Sequence, residues 1–443
     1  MAHFAFVAPP LPGHIHPLLA VAGELARRGH RSTFLHQVDA QRFVRGPAAS
    51  FVALGAASHP AGDLDATIGR MARLNGFFGL RPMLRDVART TDMLCRELPD
   101  ALRTIGADAV VADQAEAAGP LVARHLGLPY VSTATALPLN REPDLPPPFT
   151  GWPYEATDRA RRRNLGGYRV SDWLMQPVAA VLEQHARRFG LDPHRCADED
   201  FSPIAQLAQA VAGLDFPRRA LPPQFRYLGP FRPPEGPDAA AGAVEALLPP
   251  DDGRPLVFCS LGTLQGSRAW IFRRVAQACA DLDVRLVLAH GGLLRPEQAA
   301  ALPGRPSVHA FVPQRAVLRR AALAVTHAGF NTVLDALSFG VPMVAVPLAF
   351  EQPATAARLR RLGAAEVLSP RWLPRRSLAA AMRRVLEAPG YARQAAGIAR
   401  EIGALPGAVG AADLIAACVP AAGATTAAPA AGDARGGSRS ESR

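Results

Sequence analysis

The chain has 443 residues, a hydrophobic fraction of 49% and a formal charge of +11, enough for two ordinary domains with cores of their own. It has no uninterrupted apolar stretch long enough to span a bilayer and no basic region ahead of an apolar N-terminal run, so neither a spanning helix nor a signal peptide is expected. All 49 basic residues are arginine, which excludes enzymes that depend on a P-loop lysine, a Schiff-base lysine or a kinase strand lysine.

In the first half, short apolar runs alternate with helical patterns. His3–Val7, Ser32–Leu35, Phe51–Leu54, Ala109–Ala112 and Pro129–Ser132 read as buried parallel strands. Leu18–Arg28 has apolar residues at helical spacing and ends at Gly29, a C-cap residue. A long helical pattern over Ala66–Leu98 carries Met71, Phe77, Phe78, Met83, Met93 and Leu94. Such residues more often pack a core than line a pocket, but a surplus of Met and aromatics fits a wide apolar binding site. Residues 138–153 are Pro-rich and read as a loop, and the Pro-, Gly- and Ala-rich stretch 222–250 contains the linker. A second alternating series follows: Leu256–Ser260, Arg285–Leu288, Val308–Phe311, Leu323–Thr326 and Pro342–Val346. The expected division is a first domain over 1–232, a linker over 233–250, a second domain over 251–420 and a disordered tail over 421–443, with a cleft between the domains.

Five scattered cysteines, none in a Cys-x-x-Cys pair, suggest neither a metal site nor a disulfide framework, and a reducing cytoplasm is the expected compartment. The basic residues are dispersed except for a cluster at Arg159–Arg163 that lacks interleaved aromatics, so a solvated face is favoured over a nucleic-acid partner. An anionic membrane surface is the second reading of that charge, with peripheral attachment at the inner face of the membrane. Gly-x-Gly-x-x-Gly, Gly-x-Ser-x-Gly and His-Glu-x-x-His are all absent, which removes the usual sequence support for dinucleotide oxidoreductases, elbow-type serine hydrolases and zincins.

The most informative segment is Thr326-His327-Ala328-Gly329-Phe330-Asn331-Thr332-Val333-Leu334-Asp335. It reads as a strand end, a small-residue turn and a helix start. Unpaired N–H groups and the helix dipole make such a start a seat for a diphosphate, and Thr332 adds a hydroxyl donor. The plainer reading is a capped helix after a buried strand. Val341–Pro347 then reads as a further strand with Phe350-Glu351-Gln352-Pro353 beyond its end. In open α/β sheets ligands bind at the carboxyl ends of the strands, so both segments reach one edge. A carboxylate and an amide there suit sugar hydroxyls, which need donors and acceptors. His14 lies in the turn after the first strand and Asp113 follows the Ala109–Ala112 strand. An imidazole with a carboxylate on one nitrogen makes a general base. His16 competes for that role, and Asp113 could equally be a helix N-cap.

The His327–Thr332 run, Phe350-Glu351-Gln352 and Phe311-Val312-Pro313-Gln314 resemble the donor signature of UDP-glycosyltransferases of the GT-B fold, and Ala8–Leu18 resembles the acceptor-side start of that family. The likeness spans about residues 3–415. Within the family, Ala8-Pro9-Pro10, Leu137–Asn140, Pro146–Thr150 and Phe216-Pro217-Arg218-Arg219 resemble bacterial zeaxanthin glucosyltransferases. The resemblance implies an α/β protein of two Rossmann-like parallel-sheet domains facing across a cleft. It implies inverting, metal-independent transfer of glucose from UDP-glucose to an apolar hydroxylated acceptor, zeaxanthin or another carotenoid, with UDP-sugar as co-substrate and no cofactor. It makes His14 the base and Asp113 its partner. His327, Gly329, Asn331 and Thr332 would serve the diphosphate, Asp335 the ribose in place of the usual Glu, and Glu351 with Gln352 the sugar in place of an Asp-Gln pair. Phe311, where tryptophan is frequent, would face the uracil, and Val312, Gln314, Ser260, Gly262 and Thr263 would complete the nucleotide pocket.

Three rivals stand beside this reading. A metal-dependent transferase needs Asp-x-Asp at a strand end, and Asp63–Asp65, Asp198–Asp200 and Asp281–Asp283 have the spacing without a strand-like run before them. The acceptor could be a macrolide, polyketide or sterol. A catalytically inactive nucleotide-sugar-binding protein would keep the donor pocket alone.

Overall fold

The computed structural model describes residues 1–72, 80–192, 197–234 and 244–419. Its first sheet has seven parallel strands, β1 (His3–Val7), β2 (Arg31–Gln37), β3 (Ser50–Leu54), β4 (Ala109–Asp113), β5 (Tyr130–Ala134), β6 (Gln206–Ala208) and β7 (Phe225–Tyr227), in the order β3-β2-β1-β4-β5-β6-β7. The second has six, β8 (Leu256–Ser260), β9 (Arg285–Ala289), β10 (Ser307–His309), β11 (Leu323–Thr326), β12 (Met343–Ala345) and β13 (Ala365–Val367), in the order β10-β9-β8-β11-β12-β13. Parallel pairing buries both faces of a strand, and β1, β4, β5, β8 and β11 are accordingly buried along their length.

The helices of two turns or more are α1 (Pro12–Arg27), α2 (Asp63–Ala72), α3 (Leu80–Ile105), α4 (Ala118–Leu126), α5 (Asp158–Arg188), α6 (Ala269–Leu282), α7 (Phe330–Ser338), α8 (Gln352–Leu362), α9 (Arg375–Glu387), α10 (Pro389–Gly403) and α11 (Gly407–Ala417). Three differ from the sequence reading. The first helix starts at Pro12 rather than Leu18 and carries His14 in its first turn; Pro12 fits there because helix-start N–H groups are unpaired anyway. The Ala66–Leu98 pattern starts earlier, at Asp63, and runs on to Ile105 in its described parts, α2 and α3; Phe77 and Phe78 lie outside the described residues. The last helix, α11, falls in the stretch assigned to the second domain but packs on α1, where Ala408, Ala411, Ala412 and Ile415 join the core of Leu18, Val21 and Leu25. The linker segment 235–243 and the tail 421–443 lie outside the described residues.

The two halves share a core. Val211 and Leu214, which follow β6, cluster with Ala395 and Ile398 of α10. Beside them Asp215 takes Arg218 at 2.7 Å and, across the halves, Arg358 of α8 at 2.7 Å, all nearly fully buried. Tyr227 Oη donates to Asp215 at 2.9 Å. Arg218, from the Phe216–Arg219 stretch, also donates to the carbonyls of Asn140 and Pro138, which pins the Pro-rich loop. That loop packs Pro147 and Trp152 against Gly167 of α5.

Candidate active site

Strand order reverses between β1 and β4 in the first sheet and between β8 and β11 in the second. The carboxyl ends at these switch points are where a doubly wound sheet opens a crevice. A cavity of about 1270 Å³ lies there, lined from both halves. His14 from the first half lines it together with Ser260, Gly262, Thr263, Phe311, Val312, Gln314, His327, Gly329, Asn331, Thr332, Asp335, Glu351 and Gln352 from the second. Asp113 is not on the wall; it is buried behind His14.

His14 Nδ1 lies 3.3 Å from Asp113 Oδ2 and 2.8 Å from Thr135 Oγ1. The Thr135 hydroxyl donates to the same Asp113 oxygen. Because that proton points to Asp113, Thr135 Oγ1 accepts from His14, so Nδ1 carries the ring proton and Nε2 keeps a lone pair. Asp113 Oδ1 accepts from the Ala115 N–H at 2.9 Å. Burial disfavours the imidazolium most strongly, yet the charge and hydrogen bond of Asp113, with Glu351 and Glu116, outweigh it and raise the pKa of His14. The ring is 19% exposed. His16, the competitor, also lines the cavity, but burial and the charges of Arg232 and Arg45 lower its pKa. Glu116, three residues beyond Asp113, is pushed up to about 7 by burial. Thr135, just after β5, was missed in the sequence; the polar end of the Pro129–Ser132 strand was the available signal.

In the second half, His327 follows β11 and its pKa is lowered to about 4 by burial, against a backbone hydrogen bond to Ser260, so the ring is neutral at pH 7. The turn between β11 and α7 has a backbone angle that glycine would suit. The left-handed residue there is Ala328, φ 65°, while Gly329 has an ordinary φ of −62°. Gly329 is needed because a Cβ there would strike the His327 ring, and a Cβ on Gly262, φ +70°, would lie 2.8 Å from its Cε1. Phe350, next to Glu351 beyond β12, is likewise left-handed at φ 56°. Non-glycine residues in that region carry strain, and both lie beside the cavity.

Two expected ligand groups already have partners. Asp335 accepts from Arg232 at 2.7 Å and Gln314 at 2.7 Å, with Arg315 at 3.5 Å, so a ribose would meet a neutralised carboxylate. Asn331 donates to the Gly13 carbonyl at 2.8 Å and accepts from Gln209 at 3.0 Å and Arg232 at 3.1 Å. Pro17 has no N–H to give the Gly13 carbonyl inside α1, which leaves that oxygen for Asn331 across the cleft. Gln352 Oε1 accepts from the N–H groups of Leu348 and Ala349, both at 2.9 Å, so its amide NH₂ is the donor left over. The pKa of Glu351 is raised by burial, and its charge is felt by His14. Phe311 is 68% exposed at the cavity rim, a free ring face for a base.

The wall contributed by the first half is largely apolar. Met71 of α2, Met83 and Val87 of α3, and Pro9, Leu11 and Pro12 line the same cavity, whereas Met93 and Leu94 are core residues. The three Asp-x-Asp sites lie elsewhere, paired with arginine: Asp63 with Arg89 and Asp65 with Arg42, Asp198 with Arg141 and Asp200 with Arg124, Asp281 with Arg375 and Asp283 with Arg254.

Residues 169–400 match the family model described as UDP-glucoronosyl and UDP-glucosyl transferase. A zeaxanthin glucosyltransferase of Pantoea ananas is 40% identical over 417 residues, covering 94% of this chain and 95% of the relative. Another from Pseudescherichia vulneris is 42% identical over 362 residues, covering 81% and 84%. Among solved structures, the calicheamicin glycosyltransferase CalG4 superposes with a TM-score of 0.74 at 24% identity over 96% of this chain and 100% of that one. The two parallel sheets facing across a cleft are the GT-B fold, and the chain belongs to the UDP-glucuronosyl and UDP-glucosyl transferase family: it is a glycosyltransferase.

Proposed function

We propose that this glycosyltransferase moves glucose from UDP-glucose to a hydroxyl of zeaxanthin or a similarly apolar hydroxylated carotenoid, with inversion at the anomeric carbon. The observation that carries the chemistry is the His14–Thr135–Asp113 arrangement at the cavity wall. It supports a ring whose free nitrogen removes the acceptor proton as the hydroxyl attacks the sugar, while Asp113 stabilises the imidazolium that forms. UDP leaves with its charge received by the N-terminus of α7, the Thr332 hydroxyl and the neutral His327 ring. Glu351 and the amide of Gln352 suit the sugar hydroxyls. The carotenoid acceptor is supported by the two relatives named for zeaxanthin and by the Met- and Pro-lined wall of the first half.

The test is mass spectrometry of reactions of detergent-dispersed zeaxanthin, a macrolide or a sterol with UDP-glucose, UDP-galactose or TDP-glucose, each with and without chelator. A hexose increment with UDP-glucose that survives chelator is expected. Products only with a macrolide or sterol would discard the carotenoid, and loss of product in chelator would discard the metal-free mechanism.

A further inference from the structure

Helix α5 turns an unusual stripe outward. Arg162, Leu165, Arg169, Val170 and Trp173 recur at helical intervals, and Leu165, Val170 and Trp173 are 41%, 43% and 45% exposed. Opposite them Asn164, Tyr168, Leu174 and Val178 are buried, so the outward apolar residues are not part of the core face. The guanidinium of Arg81, at the start of α3, lies 4.3 Å over the Trp173 ring, and Arg85 is exposed one turn further along α3. Asp158 and Asp172 flank the stripe, and Asp172 pairs with Arg141 at 2.7 Å. Arginines interleaved with Leu, Val and Trp match the boundary between lipid headgroups and acyl chains: the indole and aliphatic groups enter the apolar edge while guanidinium groups meet phosphate. A single-stranded nucleic acid would call for a series of stacking rings, and this stripe offers one.

Placement adds a second argument. Helix α3 packs along α5 and also supplies Met83 and Val87 to the cavity wall. The stripe and the Met83–Val87 part of the apolar cavity wall are therefore carried by one pair of packed helices. We infer that the outward face of α5, with the start of α3, is a docking surface for an anionic lipid bilayer, from which an apolar acceptor passes to the cavity. The passage of acceptor rests on the proposed apolar substrate; the docking itself does not.

The experiment is co-sedimentation of the full-length protein with vesicles of phosphatidylcholine alone or of equal parts phosphatidylcholine and phosphatidylglycerol, at low and high salt. Binding to the anionic vesicles only, weakened by salt, is expected. The double variant Arg162→Ala/Arg169→Ala should bind these vesicles about thirtyfold more weakly. Trp173→Ala should also weaken binding, and its circular dichroism should match that of wild type. Both variants should keep wild-type turnover of detergent-dispersed acceptor. Wild-type protein that stays in the supernatant, or variants that sediment as well as wild type, would overturn the surface, as would stronger capture by polyuridylate than by vesicles. Vesicle binding without turnover of any carotenoid would leave the surface standing and remove the acceptor.

Discussion

At the scale of single residues, the His14 environment makes two expectations. His14→Ala should lower turnover by about a hundredfold or more while UDP affinity, measured by calorimetry, stays at the wild-type value; unchanged turnover would contradict its role as base. The pH profile follows from the sign of the shift. The ring must be neutral to take a proton, and its pKa is raised above the ordinary value of 6.5, so kcat/KM should fall on the acid side of a midpoint above 6.5. Removing the Asp113 charge with Asp113→Asn should move that midpoint to lower pH as well as slow the reaction. A midpoint unmoved in Asp113→Asn would show that another group titrates. The polar end of β5 was visible in the sequence but the role of Thr135 was not, because it depends on β5 lying beside β4, a pairing of distant segments. The same limit hid the engagement of Asp335 by Arg232 and of Asn331 by Gly13. Residue type and local spacing announced polar groups at a strand end but not which of them were already satisfied.

At the scale of elements, most buried strands were legible as apolar runs and a few were not. The strands β1, β8 and β11 coincide with their sequence assignments because buried parallel strands leave uninterrupted apolar runs. The strands β6, β7 and β13 left too little pattern, although β10 and β12, equally short, were read, and β7 lies in the Pro-rich stretch that leads into the linker. The β11–α7 turn shows how an element prepares a site. Its strain sits on Ala328, and its glycine makes room for His327 rather than for an unusual backbone angle. Gly329→Ala should therefore displace the His327 ring and weaken UDP binding about tenfold or more, with the fold retained. Wild-type UDP affinity in that variant would mean that the ring position is unimportant to the donor.

At the scale of the molecule, the halves are joined by a buried charge network as well as by apolar contact. Burial alone would raise the Asp215 pKa, but the charges and hydrogen bonds of Arg358 and Arg218 hold it well below the usual carboxylate range. A depressed folded pKa contributes stability that is present above the unfolded value, 3.8, and is lost as pH falls toward the folded one. Asp215→Asn would leave two buried guanidinium groups short of a counter-charge and should cost about 3–5 kcal/mol, read from chemical denaturation at neutral pH. A loss under about 1 kcal/mol, the range of exposed pairs, would show that the network is solvated. The two parallel sheets were legible because two alternating series flank a Pro-rich link; the return of α11 to the first half was not, since its small apolar face does not name its partner.

The most direct test of single displacement by an activated acceptor hydroxyl is the anomeric configuration of the glucosylated product, read from the proton coupling at the sugar's first carbon. UDP-glucose is α-linked, so attack by a hydroxyl deprotonated at His14 predicts a β-glucoside. An α-glucoside would contradict inversion and with it the place given to His14.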